Sequence, residues 1–596
     1  MKGMARMLES KIVVIDSGIN ESSVIEHNLS EFYSLEYSNG KYQLVSASPS
    51  DNIGHGTAVA NIIFNYDENA KFIVIKMCNF EMNIEENGLL YVLNYIYENI
   101  EATIINISMG YTYSEHLDEL EDVCERLLNK GVLIVSAFDN VGAVSYPACL
   151  KSVIGVDVCD EYEKKTDIYR VENSIVDIQV PNVYYRTIWK DKKTIIKGTS
   201  FACAKITGLI SSNLYKLNNN SIIEKYDVLN LIADKSKNTI KANPFPKPSF
   251  EIHRAIIFPY NKESSALLKY SDLVGFEIAG VYDERLHGNI GKIIEGYNIQ
   301  PFDAIVWDDE TFDTIILSCL SELVSLTKQN YLGEILSKAE KYGKNIYTFE
   351  DIKITSEHVF YPYINSTLTP NYNAGKLNKT TLPIVGVFGT SSKQGKFTLQ
   401  LEIIRRMSND GYRVGHISTE PSGYLFGADY VYHFGYHANL NIMPWECIAI
   451  INQMIGDVQR SNKDLLIIGS QSNTLHYDDS CINDFKIDQL AIMLGSMPDY
   501  FVLCVNPHDE IEYIRRTINY INAIGCGKVK ALVVFPITIV ETITHVKYKS
   551  SIMPQDELEC LKSRFHSIFE LPVFILGNEV DMRHLCINII EYFSTE

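Results

Sequence analysis

The sequence predicts an α/β protein with parallel sheets, organised as three successive units. Short runs rich in Ile and Val alternate with helical apolar patterns along the chain, which is typical of parallel sheets covered on both faces. The chain of 596 residues also exceeds a single domain, because domains average ~150 residues. We therefore expect domains over residues 1–240, 250–355 and 381–596.

The composition argues against several classes of function. The net charge of −21 disfavours binding to nucleic acids or to anionic membranes. No apolar run approaches the ~20 residues that span a membrane, and none is long enough for a signal peptide before the first strand begins. The twelve cysteines form no CxxC pair. We therefore expect reduced thiols in the cytoplasm rather than disulfides or a zinc site.

The first unit begins with a buried strand, Lys11–Ile15, that ends on Asp16. A carboxylate at the carboxyl end of a parallel strand points into the crevice where α/β proteins place their sites. His55 lies between two glycines before a helix, and it fits either a turn residue or a functional one. The other elements predicted in this unit are strands over 71–77, 103–110 and 131–140 and helices over 88–100 and 116–130.

The stretch GTSFACAKITG, residues 198–208, places Ser200 where a loop turns into a helix. Small neighbours let a substrate backbone approach such a serine, and its hydroxyl can face a cleft. The same position also suits a helix N-cap, because Ser and Thr are favoured caps. On this stretch alone, both interpretations stay open.

Three motifs in order, DSG at Asp16, HGT at His55 and GTSFA at Gly198, resemble the subtilisin-like serine proteases. Asp, His, Ser is also the order of the catalytic triad in that family. The resemblance implies a subtilisin-like fold in which Ser200 attacks the scissile carbonyl. His55 then moves the proton, and Asp16 orients the imidazole. This chemistry needs no cofactor.

The resemblance assigns further roles in the first unit. GVLIVSAFDN, residues 131–140, matches the strand that carries the family's oxyanion-hole asparagine, so that role falls to Asn140. ISMG, residues 107–110, matches the strand that binds the substrate backbone. By this resemblance, the expected substrate-binding residues are Ser108, Met109 and Gly110.

The first unit also departs from the family pattern. The usual proline four residues after the serine is Ala204, and the next residue, commonly His, is Lys205. Phe138 and Asp139 replace the usual Ala-Gly before the asparagine. An inward Asp139 carboxylate would oppose catalysis, and an outward one would select basic residues. With no pro-segment before Asp16, we expect an intracellular protease that folds unaided. The alternative is a pseudoprotease that retains the triad residues.

The second unit is predicted to be a small Rossmann-like domain that follows the proline-rich linker 241–250. It has no GxGxxG motif, so dinucleotide binding is unsupported. The acidic residues Asp308, Asp309 and Glu310 form either a metal or ligand site or a solvated turn. The predicted elements are strands over 255–260, 276–283, 302–309 and 345–352 and one long helix around 311–342.

In the third unit, a strand over 384–388 runs into a glycine-bounded loop and then a helix. Residues 389–396 read G-x5-G-K, one residue longer than the common P-loop, in which backbone N–H groups cradle phosphates. The alternative is a glycine turn with an exposed lysine. The residues expected to bind nucleotide are Gly389, Thr390, Ser391, Ser392, Lys393, Gln394, Gly395, Lys396, Phe397 and Thr398.

The loop spacing resembles dethiobiotin synthetase and, more closely, a family of P-loop proteins with a Rossmann-like N-terminal half. Gln471 and His476 match that family's segment after a later strand. This half is also similar to ATPase-like components of peptide-maturation systems. The resemblance implies ATP, or another nucleotide, with Mg²⁺.

The P-loop half departs from its relatives around the expected metal. The hydroxyl that would bind Mg²⁺ lies one place late, at Thr398, and the usual acid before the glutamine segment is Gly469. Metal binding would then come from Thr398 with Glu420 or Asp429. Hydrolysis of the nucleotide is therefore less well supported than binding.

Together these inferences describe a cytoplasmic subtilisin-like serine endopeptidase joined to an ATP-binding module. The expected substrate is a specific peptide or protein, such as the leader of a ribosomally made, modified peptide. Nucleic acids and membranes are not expected partners, and the oligomeric state stays open. One alternative is a dead-protease scaffold that presents a precursor peptide. The other is a ligase or transferase whose P-loop half activates a carboxylate.

Overall fold

The chain divides into two units. The first comprises Met1–Ala242 with Pro370–Lys379, and the second comprises Asn243–Thr369 with Thr380–Glu596. The computed structural model describes residues 10–20, 26–77, 85–140, 144–160, 164, 166–172, 174–217, 224–233, 239–240, 243–284, 288–308, 310–370, 376–434, 442–480, 485–524, 527–540 and 549–594. None of the helices in these ranges is long and apolar enough to cross a membrane. The nine cysteines in these ranges are free thiols.

The first unit is built on one ten-stranded sheet in the order β12-β8-β9-β7-β6-β5-β1-β4-β2-β3. The strands from β9 to β2 in this order are parallel. The elements are β1 (Lys11–Asp16), β2 (Leu29–Ser38), β3 (Lys41–Ser46), α1 (His55–Tyr66), β4 (Lys71–Lys76), α2 (Glu86–Asn99), β5 (Ile104–Ile107), α3 (Leu117–Asn129), β6 (Leu133–Ala137), β7 (Val153–Cys159), β8 (Tyr169–Val171), β9 (Ile178–Pro181), β10 (Tyr185–Trp189), β11 (Lys192–Ile196), α4 (Thr199–Asn213), α5 (Lys225–Ile232) and β12 (Thr239–Ile240).

The central strand β1 shows why these residues form a buried sheet. Val13 and Ile15 pack with residues of α2 and α3 on one face. Ile12 and Val14 pack with residues of α1 and α4 on the other. Successive side chains of a strand point to opposite faces, so a strand covered on both sides must be apolar throughout. The run KIVVI meets that requirement.

The predicted strands 103–110 and 131–140 are shorter in the structure. They end at Ile107 and Ala137, as β5 and β6. Ser108–Gly110 and Asn140 therefore lie just beyond the carboxyl ends of their strands. In the sheet, β5 lies between β1 and β6. The carboxyl ends that carry Asn140, Ser108 and Asp16 are thus neighbours.

The second unit contains two seven-stranded sheets. The first has the order β15-β16-β14-β13-β17-β18-β19 and is parallel except at the β15–β16 pair. Its elements are β13 (Arg254–Phe258), α6 (Lys262–Lys269), β14 (Glu277–Asp283), β15 (Ile293–Ile294), β16 (Tyr297–Pro301), β17 (Thr314–Leu317), α7 (Leu320–Thr327), α8 (Tyr331–Tyr342), β18 (Asn345–Thr348) and β19 (Val359–Phe360).

The second sheet of this unit is wholly parallel, with the order β22-β21-β23-β20-β24-β25-β28. The elements of this part are β20 (Ile384–Gly389), α9 (Lys396–Asn409), β21 (Val414–Ser418), β22 (Tyr430–Val431), α10 (Pro444–Arg460), β23 (Leu465–Gly469), α11 (Ile487–Ser496), β24 (Tyr500–Val505), α12 (Ile511–Ile524), β25 (Lys528–Val534), β26 (Ile537–Val540), β27 (Lys549–Ile552), α13 (Gln555–Phe569), β28 (Val573–Ile575) and α14 (Glu579–Phe593).

The two sheets of the second unit are joined by a common core. Leu401 and Phe426 of the P-loop part pack with apolar residues of the Rossmann-like part. The Tyr270 hydroxyl donates to Glu402 Oε1 at 3.0 Å, and the Tyr347 hydroxyl donates to the Pro421 carbonyl at 2.6 Å. The two predicted domains after residue 250 therefore form one body.

Two predicted elements of the Rossmann-like part are wrong. The long helix around 311–342 is strand β17 followed by α7 and α8. A short apolar run such as Thr314–Leu317 cannot be assigned to a strand or a helix by periodicity alone. The predicted strand 302–309 begins instead with a 3₁₀ turn, Phe302–Ala304. The apolar side chains of Phe302 and Trp307 are core residues there, although they lie outside a strand. Asp309 lies outside the described residues.

Candidate active site

The carboxyl end of β1 and the start of α1 bring Asp16 and His55 together. His55 Nδ1 lies 2.8 Å from Asp16 Oδ1 and 3.0 Å from Asp16 Oδ2, and both residues are buried. A Cβ at Gly56 would lie 2.2 Å from the Gly18 carbonyl oxygen, so the close approach of these two segments requires glycine. In the HGT motif, the histidine therefore provides the chemical group, and the glycine allows the close packing.

The contact with Asp16 fixes the state of the His55 imidazole. Burial alone would lower the pKa of His55, but the charge and hydrogen bond of Asp16 outweigh it, so the pKa is raised. A carboxylate can only accept hydrogen bonds, so Nδ1 carries the proton and the neutral ring keeps Nε2 as its base. This arrangement suits a general base.

Asp51 is a supporting residue that the sequence reasoning missed. Its Oδ1 accepts from the Ser17 hydroxyl at 2.9 Å and from Gly54 N at 2.7 Å, and its Oδ2 accepts from Thr57 N at 2.9 Å. Burial would raise the pKa of Asp51, but hydrogen bonds from Thr57 and Gly54 lower it overall. Asp51 thereby ties the DSG segment to the start of α1. The available signal was an Asp shortly before the helix start, a position that favours capping.

Ser200 is the second residue of α4, and its hydroxyl does not cap the helix. The N-cap residue is instead Gly198, with φ of 144°, so no side chain caps this helix. Ser200 Oγ instead donates to the Ser108 carbonyl at 2.8 Å. The neighbouring Phe201 ring lies 5.3 Å from the His55 ring. In the described part of the chain, no hydrogen bond joins Ser200 Oγ to His55.

Asn140 is tied directly to the start of α4. Its Oδ1 accepts from Thr199 N at 3.0 Å and from Thr199 Oγ1 at 3.1 Å. A Cβ at Gly198 would lie only 3.0 Å from the same oxygen. With Oδ1 occupied in this way, the Nδ2 group is left to donate beside Ser200. Asn140 is exposed, so a substrate can reach it.

The residues that depart from the family pattern take ordinary structural places. Ala204 is wholly buried and packs against α1. Lys205 is buried, which lowers the pKa of its amine. Asp139 is partly exposed, and its backbone N–H donates to Ser145 Oγ at 2.8 Å. None of these residues displaces the Asp16–His55 contact.

Ser108, Met109 and Gly110 continue from β5 along the edge beside Ser200. The Asn106 amide donates to Ser108 Oγ at 2.8 Å and fixes the start of this segment. Its far end is held by Tyr111 and Tyr146, which exchange backbone hydrogen bonds of 3.2 and 2.8 Å. A Cβ at Gly110 would lie 2.7 Å from the Tyr146 carbonyl oxygen. The segment is therefore anchored at both ends.

In the P-loop part, β20 ends at Gly389 and α9 begins at Lys396. Lys396 is buried, and its Nζ donates to the Ser391 carbonyl at 2.7 Å and to the Ser472 carbonyl at 2.9 Å. The alternative of a glycine turn with an exposed lysine is therefore wrong. Ser392 and Lys393 are the exposed residues of the loop. Phe397 packs on Phe426, with ring centroids 5.6 Å apart.

The loop also binds its own side chains. Ser391 N donates to Gln394 Oε1 at 3.0 Å, and Gln394 Nε2 donates to Thr390 Oγ1 at 2.6 Å. The Thr390 hydroxyl donates to Asp509. Asp509 also accepts from Asn506 N at 2.8 Å. Gln394 therefore occupies the inside of the loop.

One of the expected metal ligands, Asp429, is engaged by other residues. Asp429 accepts from His416 N at 2.9 Å and pairs with Lys463 at 3.1 Å, so its carboxylate has another role. Thr398 is half-buried on α9. Within the described ranges, no three His, Cys, Asp or Glu side chains cluster closely enough to hold a metal ion. The donor set does not fit a resident Mg²⁺ bound by protein alone.

Lys396 and Glu420 share an electrostatic environment. Burial lowers the pKa of Lys396 to about 8, partly offset by Cys504 and Glu420. Burial raises the pKa of Glu420 to about 7, with Glu263 adding to the rise and Lys396 opposing it. A Cβ at Gly469 would lie 2.5 Å from the Gln400 amide, so Gln400 fills the space beside this glycine. Glu420 is the carboxylate coupled to this lysine.

Gln471 and His476 lie on the loop after β23. The Gln471 amide donates to the Thr419 carbonyl at 2.9 Å, next to Glu420. His476 pairs with Asp479 at 2.8 Å and stacks on Phe485, with ring centroids 4.5 Å apart. Both side chains thus hold neighbouring loops in place.

Two family models match the chain. The subtilase family model matches residues 9–247. The P-loop domain model of a domain of unknown function, DUF1611, matches residues 371–531. No curated protein matches the chain.

Similar solved structures cover each part. A cold-adapted subtilisin-like serine proteinase has 19% identity over 39% of this chain and 86% of its own, with a TM-score of 0.31. A lanthipeptide protease has 17% identity over 37% and 78%, with a TM-score of 0.30. A DUF1611 family protein from Anabaena variabilis has 15% identity over 57% and 99%, with a TM-score of 0.38.

Proposed function

We propose that this chain, which joins a subtilase serine endopeptidase domain to a DUF1611 P-loop domain, cleaves a specific peptide with the triad Asp16, His55 and Ser200. The observation that carries the proposal is the buried contact of His55 Nδ1 with both oxygens of Asp16. Asn140 supports it, because its side chain is fixed on Thr199, the residue before the nucleophile.

The first chemical step uses the groups as they are placed. The Ser200 hydroxyl rotates from the Ser108 carbonyl toward His55 Nε2, a change between staggered rotamers. His55 takes the hydroxyl proton as Oγ bonds to the scissile carbonyl carbon. Asn140 Nδ2 and the Ser200 backbone N–H stabilise the negative oxygen. The proton then goes to the leaving amine as the C–N bond breaks, and water repeats the sequence to release the acid.

The peptide would bind as an added strand along Ser108–Gly110, where main-chain hydrogen bonds give affinity. We further propose that the substrate is a precursor peptide, such as the leader of a ribosomally made, modified peptide. One of the similar structures is that of a lanthipeptide protease, and the proposed substrate class follows that name. The proposed setting is the cytoplasm, which suits the nine free thiols of the described residues.

For the second unit we propose nucleotide binding at Gly389–Thr398. The strand–loop–helix context and a buried lysine that already contacts loop carbonyls support this role. Backbone N–H groups at the start of α9 would hold the phosphates. A bound ATP would bring its own Mg²⁺, since the described residues offer no cluster for a resident ion. The module would control or recognise the peptide rather than take part in its cleavage.

The deciding experiment compares Ser200→Ala with Ser212→Ala, a serine of the same helix whose hydroxyl bonds locally, donating to the Leu209 carbonyl and accepting from the Asn213 amide. We expect Ser200→Ala to abolish peptide cleavage and fluorophosphonate labelling while leaving ATP binding intact. Ser212→Ala should retain all three. Unchanged peptidase activity in Ser200→Ala would refute the assignment. Absence of labelling in the folded wild-type protein would favour the scaffold alternative.

A further inference from the structure

The segment Pro370–Lys379, which is distant in sequence from the rest of the first unit, completes the core of that unit. Lys376 lies 219 residues after Asp157, and its Nζ pairs with Asp157 Oδ2 at 2.7 Å. The two side chains are only 2% and 3% exposed. Asp157 belongs to β7, so the pair lies within the protease fold itself. The subtilase match ends at residue 247 and does not include this lysine.

The pair is a chemical necessity for the protease core. A buried charge is tolerated only when it is paired and hydrogen-bonded. Among the described residues, Lys376 is the only side chain that hydrogen-bonds the Asp157 carboxylate. Removing one partner of such a pair leaves an uncompensated buried charge. Asp157 in β7 therefore requires the segment that carries Lys376.

The Lys376–Asp157 pair directly contacts the segment Phe138–Asn140, which carries the proposed oxyanion-hole asparagine. Lys376 Nζ lies 5.6 Å from the centroid of the Phe138 ring, a cation–π distance. Phe138 N donates at 3.0 Å to the carbonyl of Val156, the residue before Asp157. Phe138 is buried and directly follows β6, two residues before Asn140. The ring also fits closely against β7, since a Cβ at Gly155 would lie 2.8 Å from it.

We propose that Lys376 is a positioning residue of the protease. It fixes Asp157 and Phe138, and through them it sets the place of Asn140 beside Ser200. The inference rests on the proposed function, because it assigns Asn140 to the oxyanion hole. Its consequence is that a competent protease needs the chain to continue beyond its catalytic domain. Lys379 is followed directly by Thr380 of the second unit, and β20 begins four residues later at Ile384.

The test uses the full chain and compares Lys376→Met with Lys379→Met, an exposed lysine of the same segment. We expect Lys376→Met to lower kcat by about 10- to 100-fold with KM changed less than about threefold, since a misplaced oxyanion donor weakens only the transition state. Lys379→Met should match the wild type. Lys376→Arg keeps the charge and should recover part of kcat. An unchanged kcat in folded Lys376→Met would overturn the proposal.

A double-mutant cycle with Asn140→Ala separates positioning from simple loss of stability. If Lys376 acts through Asn140, Lys376→Met should cost little more in the Asn140→Ala background. Multiplied losses would overturn the proposal while leaving the triad assignment intact. A wild-type kcat in Asn140→Ala would instead refute the oxyanion assignment, and this inference with it. If Lys376→Met fails to fold, the doubly neutral Asp157→Asn/Lys376→Met variant enters the same cycle with the same expectations.

Discussion

The Asp16–His55 site and the loop Gly389–Lys396 share one architecture but differ in what occupies them. Each lies where a parallel strand ends and a helix begins. In the first site, Asp16 holds His55 Nδ1 and leaves His55 Nε2 as a base for the Ser200 hydroxyl. In the second, Lys396 donates to the Ser391 carbonyl, and Ser391 N donates to the Gln394 side chain. The Asp16–His55 pair is already in place, whereas the loop must exchange internal partners for a ligand.

The difference follows from the chemistry that each site would perform. A general base needs its orienting charge in place before substrate arrives, because reorganisation during the reaction raises the barrier. A phosphate site carries strong donors that cannot stay unpaired when buried, so without ligand they bind protein acceptors. Variants that remove the preorganised pair should therefore cost more than variants of the self-occupied loop.

The largest effect should come from Asp16→Asn. An asparagine holds the imidazole in the wrong tautomer, and loss of this carboxylate in a serine protease triad lowers kcat by about 10⁴-fold. The raised pKa of His55 should also fall in this variant, since the charge of Asp16 causes the rise. The measurement is the pH profile of kcat/KM. In the wild type, activity should rise with pH as His55 loses its proton, with a midpoint above the ordinary histidine pKa.

The control is Asp122→Asn, which removes an exposed carboxylate that pairs with Arg126 across one helical turn. Exposed pairs of this kind contribute little to stability. We expect its kcat and pH profile to equal those of the wild type. Near-normal kcat in Asp16→Asn would show that the pair is structural, and the contrast between the two sites would disappear.

The sequence predicted the α/β class and both family resemblances, and the two family models confirm them. Asp16 and His55 were predicted to act together from the resemblance of their motifs to the subtilisin-like proteases, and the two side chains are in contact in the structure. Asp51 and Asp509 were not assigned, because they accept hydrogen bonds from loops whose conformation depends on the whole fold. The strand Thr314–Leu317 was missed because so short a run carries no distinguishing period.

Long-range pairing is the part that no local pattern could predict. Lys376 lies in a polar, turn-rich connection that the sequence assigns to no domain. Its partner Asp157 stands in an apolar strand without a local counter-charge. Hydrophobic periodicity predicts where helices and strands lie along the sequence. It does not predict which charged side chains, distant in sequence, come into contact in the fold.

A moderate effect is expected from Lys396→Ala. A hydrogen bond to a charged group contributes about 1.5–3 kcal/mol, so ATP affinity should fall about 10- to 100-fold. The wild-type affinity should also weaken above about pH 8, because burial lowers the pKa of Lys396 to about 8 and the neutral amine attracts phosphate less. Calorimetric titration with ATP from pH 6.5 to 9 measures both effects. The variant should lose the pH dependence.

Lys528→Ala is the control for that titration, because Lys528 is an exposed lysine at the start of β25. Its ATP affinity and pH dependence should equal those of the wild type. Equal ATP affinity in Lys396→Ala and the wild type would remove the nucleotide-binding assignment, while the protease assignment would stand.

The smallest effect, and the most direct test of self-occupation, is expected from Gln394→Ala. The substitution frees Ser391 N from the Gln394 amide oxygen. An ordinary hydrogen bond contributes about 0.5–1.5 kcal/mol net, so ATP should bind about 2- to 10-fold more tightly. Gln400→Ala is the matched control, because that buried glutamine contacts Lys396 O and His416 and makes no contact with Ser391. Weaker ATP binding in Gln394→Ala would mean that this side chain supports the bound loop. The loop would then already be arranged for its ligand, as the Asp16–His55 pair is for its reaction. The two sites would differ only in the chemistry that they perform.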